Sequence, residues 1–152
     1  MAGIGRRLTW NAVRVAIARL LSRTEQAPSQ PADIRIVHVM QEGLDPEDVK
    51  IITLARSARA RVGSAEGAAV RDETGRTYAA AAVALPSLRL SALTLAVAMA
   101  VSSGATALEA AALVSDGPGP TADDIRAVKD IGAGALIIHA GSDGAVRGTS
   151  RP

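Results

Sequence analysis

Residues 88–124 read LRLSALTLAVAMAVSSGATALEAAALVSDGPGPTADD, and the order of signals within them decides the fold class. Leu88 to Ser103 is rich in Ala, Leu and Val on nearly every face and closes at Gly104, the pattern of a buried helix with a glycine stop. Ala107 to Val114 is a continuous apolar run flanked by turn residues, which fits a central strand covered on both faces. The loop Asp116-Gly117-Pro118-Gly119-Pro120 then delivers the chain to Thr121-Ala122-Asp123-Asp124, a helix start with a hydroxyl cap and acids in its first turn. Helix, buried strand and helix in succession specify an α/β architecture.

The flanking segments extend that pattern. Upstream, Asp45-Pro46-Glu47-Asp48 supplies an N-cap, a proline at the first helical position and two first-turn acids, and the helix carries Val49, Ile52, Leu54 and the Arg56 to Arg61 stretch to Gly63. Glu66 to Val70 and Thr77 to Leu85 read as two strands of a hairpin around Asp72-Glu73-Thr74-Gly75. Downstream, a helix runs to Gly132, Ala135 to His139 is a strand, Gly141-Ser142-Asp143-Gly144 is a tight turn, and Ala145 to Gly148 is a last strand. The order αββαβαββ predicts a three-layer α/β/α sandwich on a mixed five-stranded sheet. Its two βαβ crossovers predict parallel central strands, and its short turns predict antiparallel edges.

Composition narrows the chemistry. At 152 residues one core is expected, and with 48% hydrophobic but only 1% aromatic residues it must be built from Ala, Val, Leu and Ile. The absence of cysteine excludes disulfides, thiol nucleophiles, iron–sulfur clusters and cysteine-based zinc sites. No apolar run reaches the roughly 18 residues that span a bilayer, so a soluble, cytoplasmic protein is expected. The net charge of +2 hides a split. Residues 1–39 hold six arginines against Glu25 and Asp33, whereas the rest is slightly acidic, so the pI of 9.7 is not a nucleic-acid footprint on the main domain.

Two parts are therefore expected: a basic arm and linker over residues 1–39, and a domain over 40–152. In the arm, Val13, Ile17, Leu20 and Leu21 recur at helical spacing with Arg14, Arg19 and Arg23 largely off that face, and Glu25 to Pro31 reads as a linker. Arg14 and Arg19 interrupt any secretory core. Three readings of the arm stay open: contact with an anionic membrane surface or RNA, packing on the domain or a partner, or a segment outside the natural product, with Met40 opening the domain.

Over residues 46–149 the chain resembles the cytidine deaminase family, in element order and in local sequence. Arg61-Val62-Gly63 before the Asp72 to Arg76 hairpin looks like the family's lead into its first two strands. Ser91 to Gly104 is similar in length and small-residue rhythm to the helix that opens Cys-Ala-Glu or His-Ala-Glu. Pro120-Thr121-Ala122-Asp123-Asp124 sits where the family has Pro-Cys-x-x-Cys, and the short Gly141 to Gly144 turn favours the free-nucleoside branch. The resemblance implies Zn²⁺ held by His or Cys and two Cys, with a Glu moving the proton. Here those positions carry Ser91, Leu93, Thr121 and Asp124, and the family's ribose-contacting Asn and Glu fall on Ala82 and Ala84. What it implies is a deaminase-like fold that has lost catalysis, with no metal, no cofactor and no substrate clamp, retained as a structural or binding module.

It also implies a homo-oligomer, dimer or tetramer. Degenerate relatives beside a ribosome-assembly GTPase in actinobacterial genomes imply a GTPase or RNA link. Two alternatives remain: a zinc-dependent nucleoside deaminase with atypical ligands, and an RNA or membrane adaptor acting through the arm. Among the remaining residues, Thr121 to Asp124 reads as a capping box or, less simply, an oxygen-lined site for a small cation. His38 lies in the arm, and His139 ends an apolar strand as a structural or solvated histidine. Gly3-Ile4-Gly5 and Gly132-Ala133-Gly134 lack the context of a dinucleotide site. Arg56, Arg59 and Arg61 read as complements of the helix dipole, ahead of an RNA patch. Ala79 to Ala82 opposite Ala96, Ala98 and Ala100 is expected to leave flat surfaces that another subunit covers.

Overall fold

The computed structural model describes residues 43–152; the readings of the arm, of His38 and of the Gly3-Ile4-Gly5 segment lie outside them. Helix α1 (Pro46–Val62) starts as its cap residues dictate. Asp45 accepts from Glu47 N at 2.8 Å, and Gly63 ends it at φ +63°. Strands β1 (Glu66–Asp72) and β2 (Thr77–Ala81) form the expected hairpin. Asp72 closes its turn by accepting from Thr74 N, Thr74 Oγ1 and Arg76 N on one oxygen and from the Tyr78 hydroxyl on the other. Then follow β3 (Val83–Ala84), β4 (Arg89–Leu90), α2 (Ala92–Ser102), β5 (Leu108–Ser115), α3 (Ala122–Ile131), β6 (Leu136–Ala140) and β7 (Val146–Ser150).

The main sheet has five strands in the order β2-β1-β5-β6-β7 and is mixed. Side-chain alternation sends each strand's residues to two cores. On one face Ala69, Ala112, Val114, Ile138 and Ala140 pack under Ile51, Ile52 and Ala55 of α1. On the other, Ala68, Val70, Ala111, Leu113 and Ile137 meet Leu93, Ala96 and Ala100 of α2 and Val128 of α3. This is the three-layer α/β/α sandwich. With so few large side chains the layers lie close. A Cβ on Gly67 would stand 2.1 Å from Ala55 O and 2.7 Å from Arg59 Cβ, so α1 rests directly on the β1 backbone.

Four expectations are corrected. Only β5 and β6 pair in parallel, because β1 inserts between β2 and β5 and pairs antiparallel with both. The crossover through α2 therefore spans a strand instead of joining neighbours. The second hairpin strand stops at Ala81, and residues 83–90 form a separate two-stranded ribbon, Val83 opposite Leu90 and Ala84 opposite Arg89. The helix read from Leu88 starts only at Ala92, after the Ser91 cap, whose side chain accepts from Thr94 N at 3.1 Å. Finally, Ala80, Ala96 and Ala100 are buried against one another inside the domain, so most of the alanine surface serves close helix–sheet packing. Among the described residues no helix is long and apolar enough to cross a membrane.

Candidate functional site

The positions that the resemblance makes metal ligands do converge. Ser91 caps α2, Thr121 caps α3, and Asp124 is the third residue of α3, so two helix N-termini meet around one carboxylate. Asp124 is only 2% exposed. Its Oδ1 accepts from Ser91 Oγ and from Thr94 Oγ1, the latter at 3.1 Å. Its Oδ2 accepts from Thr121 N at 2.9 Å and Thr121 Oγ1 at 2.7 Å, while Asp124 N donates back to Thr121 Oγ1 at 3.2 Å. The capping box expected from sequence is thus present, and Ser91 and Thr94 tie it to the neighbouring helix.

The electrostatics follow from the contacts. Burial pushes the Asp124 carboxyl up, but the bonds donated by Ser91, Thr121 and Thr94 outweigh it and hold the group below the ordinary carboxylate range. Two helix N-termini add to that preference for an anion.

This donor set does not fit zinc. Structural and catalytic zinc sites need three or four nitrogen, thiolate or carboxylate ligands, whereas here two hydroxyls flank a carboxylate whose oxygens both already accept two hydrogen bonds. Among the described residues no three His, Cys, Asp or Glu side chains gather as a metal-holding group. The same saturation, beside two positive helix ends, disfavours the small cation considered from sequence. Leu93, where the resemblance puts the proton shuttle, is fully buried in the core between α2 and the sheet and has no acid–base chemistry. Ala82 and Ala84, where the resemblance puts the ribose contacts, lie beyond β2, Ala82 half-buried and Ala84 exposed in β3.

The other candidates resolve into structure. His139 Nε2 lies 3.2 Å from Ser115 Oγ and 3.3 Å from Ser115 O, and its ring stands beside Gly119. Among the described residues no carboxylate bonds the second ring nitrogen, so the buried Ser115 lacks the base–orienter pair that nucleophilic catalysis requires. Arg59 and Arg61 lie in the last turn of α1, where cations complement its dipole, while Arg56 lies before that turn. Arg56 Nε donates to Ser142 O at 3.1 Å, and Arg59 bonds Ala65 O and Asp116.

Two residues of these clusters were not singled out from sequence. Thr94 had a signal, since it lies three residues after a serine N-cap; its bond to Asp124, thirty residues on, had none. Asp116, read only as loop, takes Arg59 and Arg147 at 3.1 Å each and Ser142 N at 3.1 Å. Hydrogen bonding to Ser142 and the two guanidiniums hold its carboxyl below the usual range.

Comparison with known proteins fits this fold. The chain is similar to a cytidine deaminase from Burkholderia pseudomallei, at 20% identity and a TM-score of 0.58 over 67% of this chain and 90% of that one. It is similar also to a cytidine deaminase from Mycobacterium leprae, at 20% identity and a TM-score of 0.51 over 64% and 89% of the two chains. At this identity the likeness is one of fold. No curated protein matches the sequence. The sequence profile described as cytidine deaminase-like matches residues 44–144, about two thirds of the chain, and the protein belongs to the cytidine deaminase-like family.

Proposed function

We propose that this chain is a deaminase-like protein without deaminase activity, taking no metal cofactor and serving as a structural or binding module. One observation carries the reading: at the place where the resemblance puts the zinc ligands, the Asp124 carboxylate is saturated by Ser91, Thr94 and Thr121. Hydrolytic deamination needs an attacking hydroxide made at neutral pH and a group that carries its proton. Hydroxyls do not lower the pKa of water as a bound metal does, and Leu93 moves no proton. The replacement is also mutually consistent, because capping two helices through one anion is a stabilising arrangement that a single lost ligand would not produce.

Association belongs to the same proposal. Met99 and Val101 on α2 and Leu85 and Leu88 in the β3–β4 ribbon are exposed apolar side chains, which supports a homo-oligomer held through these surfaces. The test is cytidine and deoxycytidine turnover by the full chain purified from zinc-supplemented cells, followed by loss of ultraviolet absorbance. No turnover above the uncatalysed rate is expected; turnover abolished by a chelator and restored by zinc would overturn the reading in favour of an enzyme with atypical ligands.

A further inference from the structure

A cleft on the α1 side of the sheet, away from Asp124, has its own chemistry. It opens at the carboxyl ends of the parallel strands β5 and β6, the place where open α/β sheets bind ligands. About 270 Å³ is enclosed between Thr53, Arg56, Ser57 and Arg59 of α1, with Val114 as floor and Ser142 of the β6–β7 turn opposite.

Each arginine is oriented through its Nε by a neutral acceptor. Arg56 Nε donates to Ser142 O at 3.1 Å and Arg59 Nε to Ala65 O at 3.0 Å. A carbonyl orients a guanidinium without cancelling its charge, which leaves both terminal nitrogens of Arg56 as cationic donors in a rigid fork, and Nη1 of Arg59, whose Nη2 bonds Asp116 at 3.1 Å. Arg59 shares the single carboxylate of Asp116 with Arg147, and Arg56 has no carboxylate partner among the described residues. The turn is shaped to hold Arg56. Gly144 adopts φ +88°, and a Cβ there would lie 3.1 Å from Arg56 Nη1 and 3.2 Å from its Cδ. Pre-placed, under-neutralised guanidiniums are what a phosphate group recognises.

The remaining wall selects the rest of the ligand. Thr53 Oγ1 and Ser57 Oγ donate their protons to Val49 O and Thr53 O, at 3.0 and 2.9 Å, so toward the cleft they offer lone pairs only. Lone pairs suit the hydroxyl donors of a polyol. Among the described residues no aromatic ring lines the cleft, which disfavours a nucleic-acid strand held by base stacking. We propose that this cleft binds the phosphate group of a small hydroxylated molecule, with Arg56 and Arg59 as the phosphate clamp.

The test is titration of the ¹⁵N-labelled full chain at low ionic strength with inorganic phosphate and, separately, ribose 5-phosphate, following the Ser142 and Gly144 amides and the Arg56 Nε–H. Saturable shifts of these signals are expected. Arg56→Ala, and Arg56→Gln in case alanine loosens the turn, should weaken binding by about tenfold or more. Arg126→Ala removes the same charge from an exposed i,i+3 pair and should leave affinity within about twofold. Tighter binding of ribose 5-phosphate assigns the site to an ester, and equal binding to the free ion. Unchanged affinity in both Arg56 variants, equal weakening by Arg126→Ala, or shifts produced only by a single-stranded RNA oligomer would overturn the proposal.

Discussion

Replacing Asp124 by Asn keeps the size of the side chain and removes its charge, and thereby tests whether an anion is what joins the two helix starts. The amide retains one acceptor oxygen. Facing it toward Thr121 preserves the bonds from Thr121 N and Oγ1, since the backbone donor cannot turn round. The NH₂ then confronts Ser91 Oγ, which already accepts from Thr94 N, and Thr94 Oγ1. Two charge-assisted bonds are lost or reversed and two become neutral, at about 0.5–1 kcal/mol for each, with about 0.5 kcal/mol more for the charge at the helix ends. The expected cost of Asp124→Asn is therefore ~3 kcal/mol at neutral pH, read from urea unfolding followed by far-ultraviolet circular dichroism.

Acid provides the sharper readout. A carboxyl held below its unfolded pKa of about 3.9 contributes stability that is complete above that value and is lost as pH falls through the lower folded value. Asp72, Glu73 and Asp116 are depressed too, so both proteins weaken in acid. The difference between them should nevertheless shrink below about pH 4, because only the parent has the Asp124 charge to lose. A gap that is the same at pH 7 and at pH 3, or a neutral-pH cost below ~1 kcal/mol, would refute the reasoning.

Other substitutions probe the packing and the ligand geometry. Gly67→Ala should cost at least ~3 kcal/mol or abolish folding, because the new methyl would sit 2.1 Å from Ala55 O, whereas Gly134→Ala, with open space around it, should stay within about 0.5 kcal/mol in the same unfolding assay. Arg71→Ala should cost about 2–4 kcal/mol, since it strips Asp48 of an ion partner 2.9 Å away in a largely buried setting, and Asp48→Asn combined with it should recover part of that loss. Because the side chains of residues 91, 121 and 124 meet, Ser91→Cys, Thr121→Cys and Asp124→Cys together should create zinc binding, detected by native mass spectrometry, while cytidine turnover stays absent without Leu93→Glu.

Much of this molecule was legible because its local signals agree with one another. The Asp45 and Thr121 caps, the Asp72 to Gly75 turn and the buried β5 run each have a short-range cause, and each appears where that cause puts it. What stayed hidden depends on distance along the chain. An alternation of period two tells that Ala68 and Ala69 face opposite layers but not which strand lies beside them, so the insertion of β1 between β2 and β5 had no local mark. The break after Ala81 lies in a run of alanines with no turn residue until Pro86, and Leu88 and Leu90 share the apolar character of the helix they precede. The site divided in the same way. The capping box was visible in four consecutive residues, whereas the bonds from Ser91 and Thr94 to Asp124 arise only when α2 and α3 pack, and the Arg56 contact with Ser142 only when β6 has crossed to the α1 side chains' reach.

The claim on which the functional reading stands is that a hydrogen-bonded anion, in place of a metal, holds the starts of α2 and α3 together. Zinc content of the full chain, purified without chelators from zinc-supplemented cells and measured by inductively coupled plasma mass spectrometry, addresses it directly. Metal far below stoichiometric, and unchanged in Asp124→Asn, is expected; stoichiometric zinc in the parent that disappears in Asp124→Asn would contradict it.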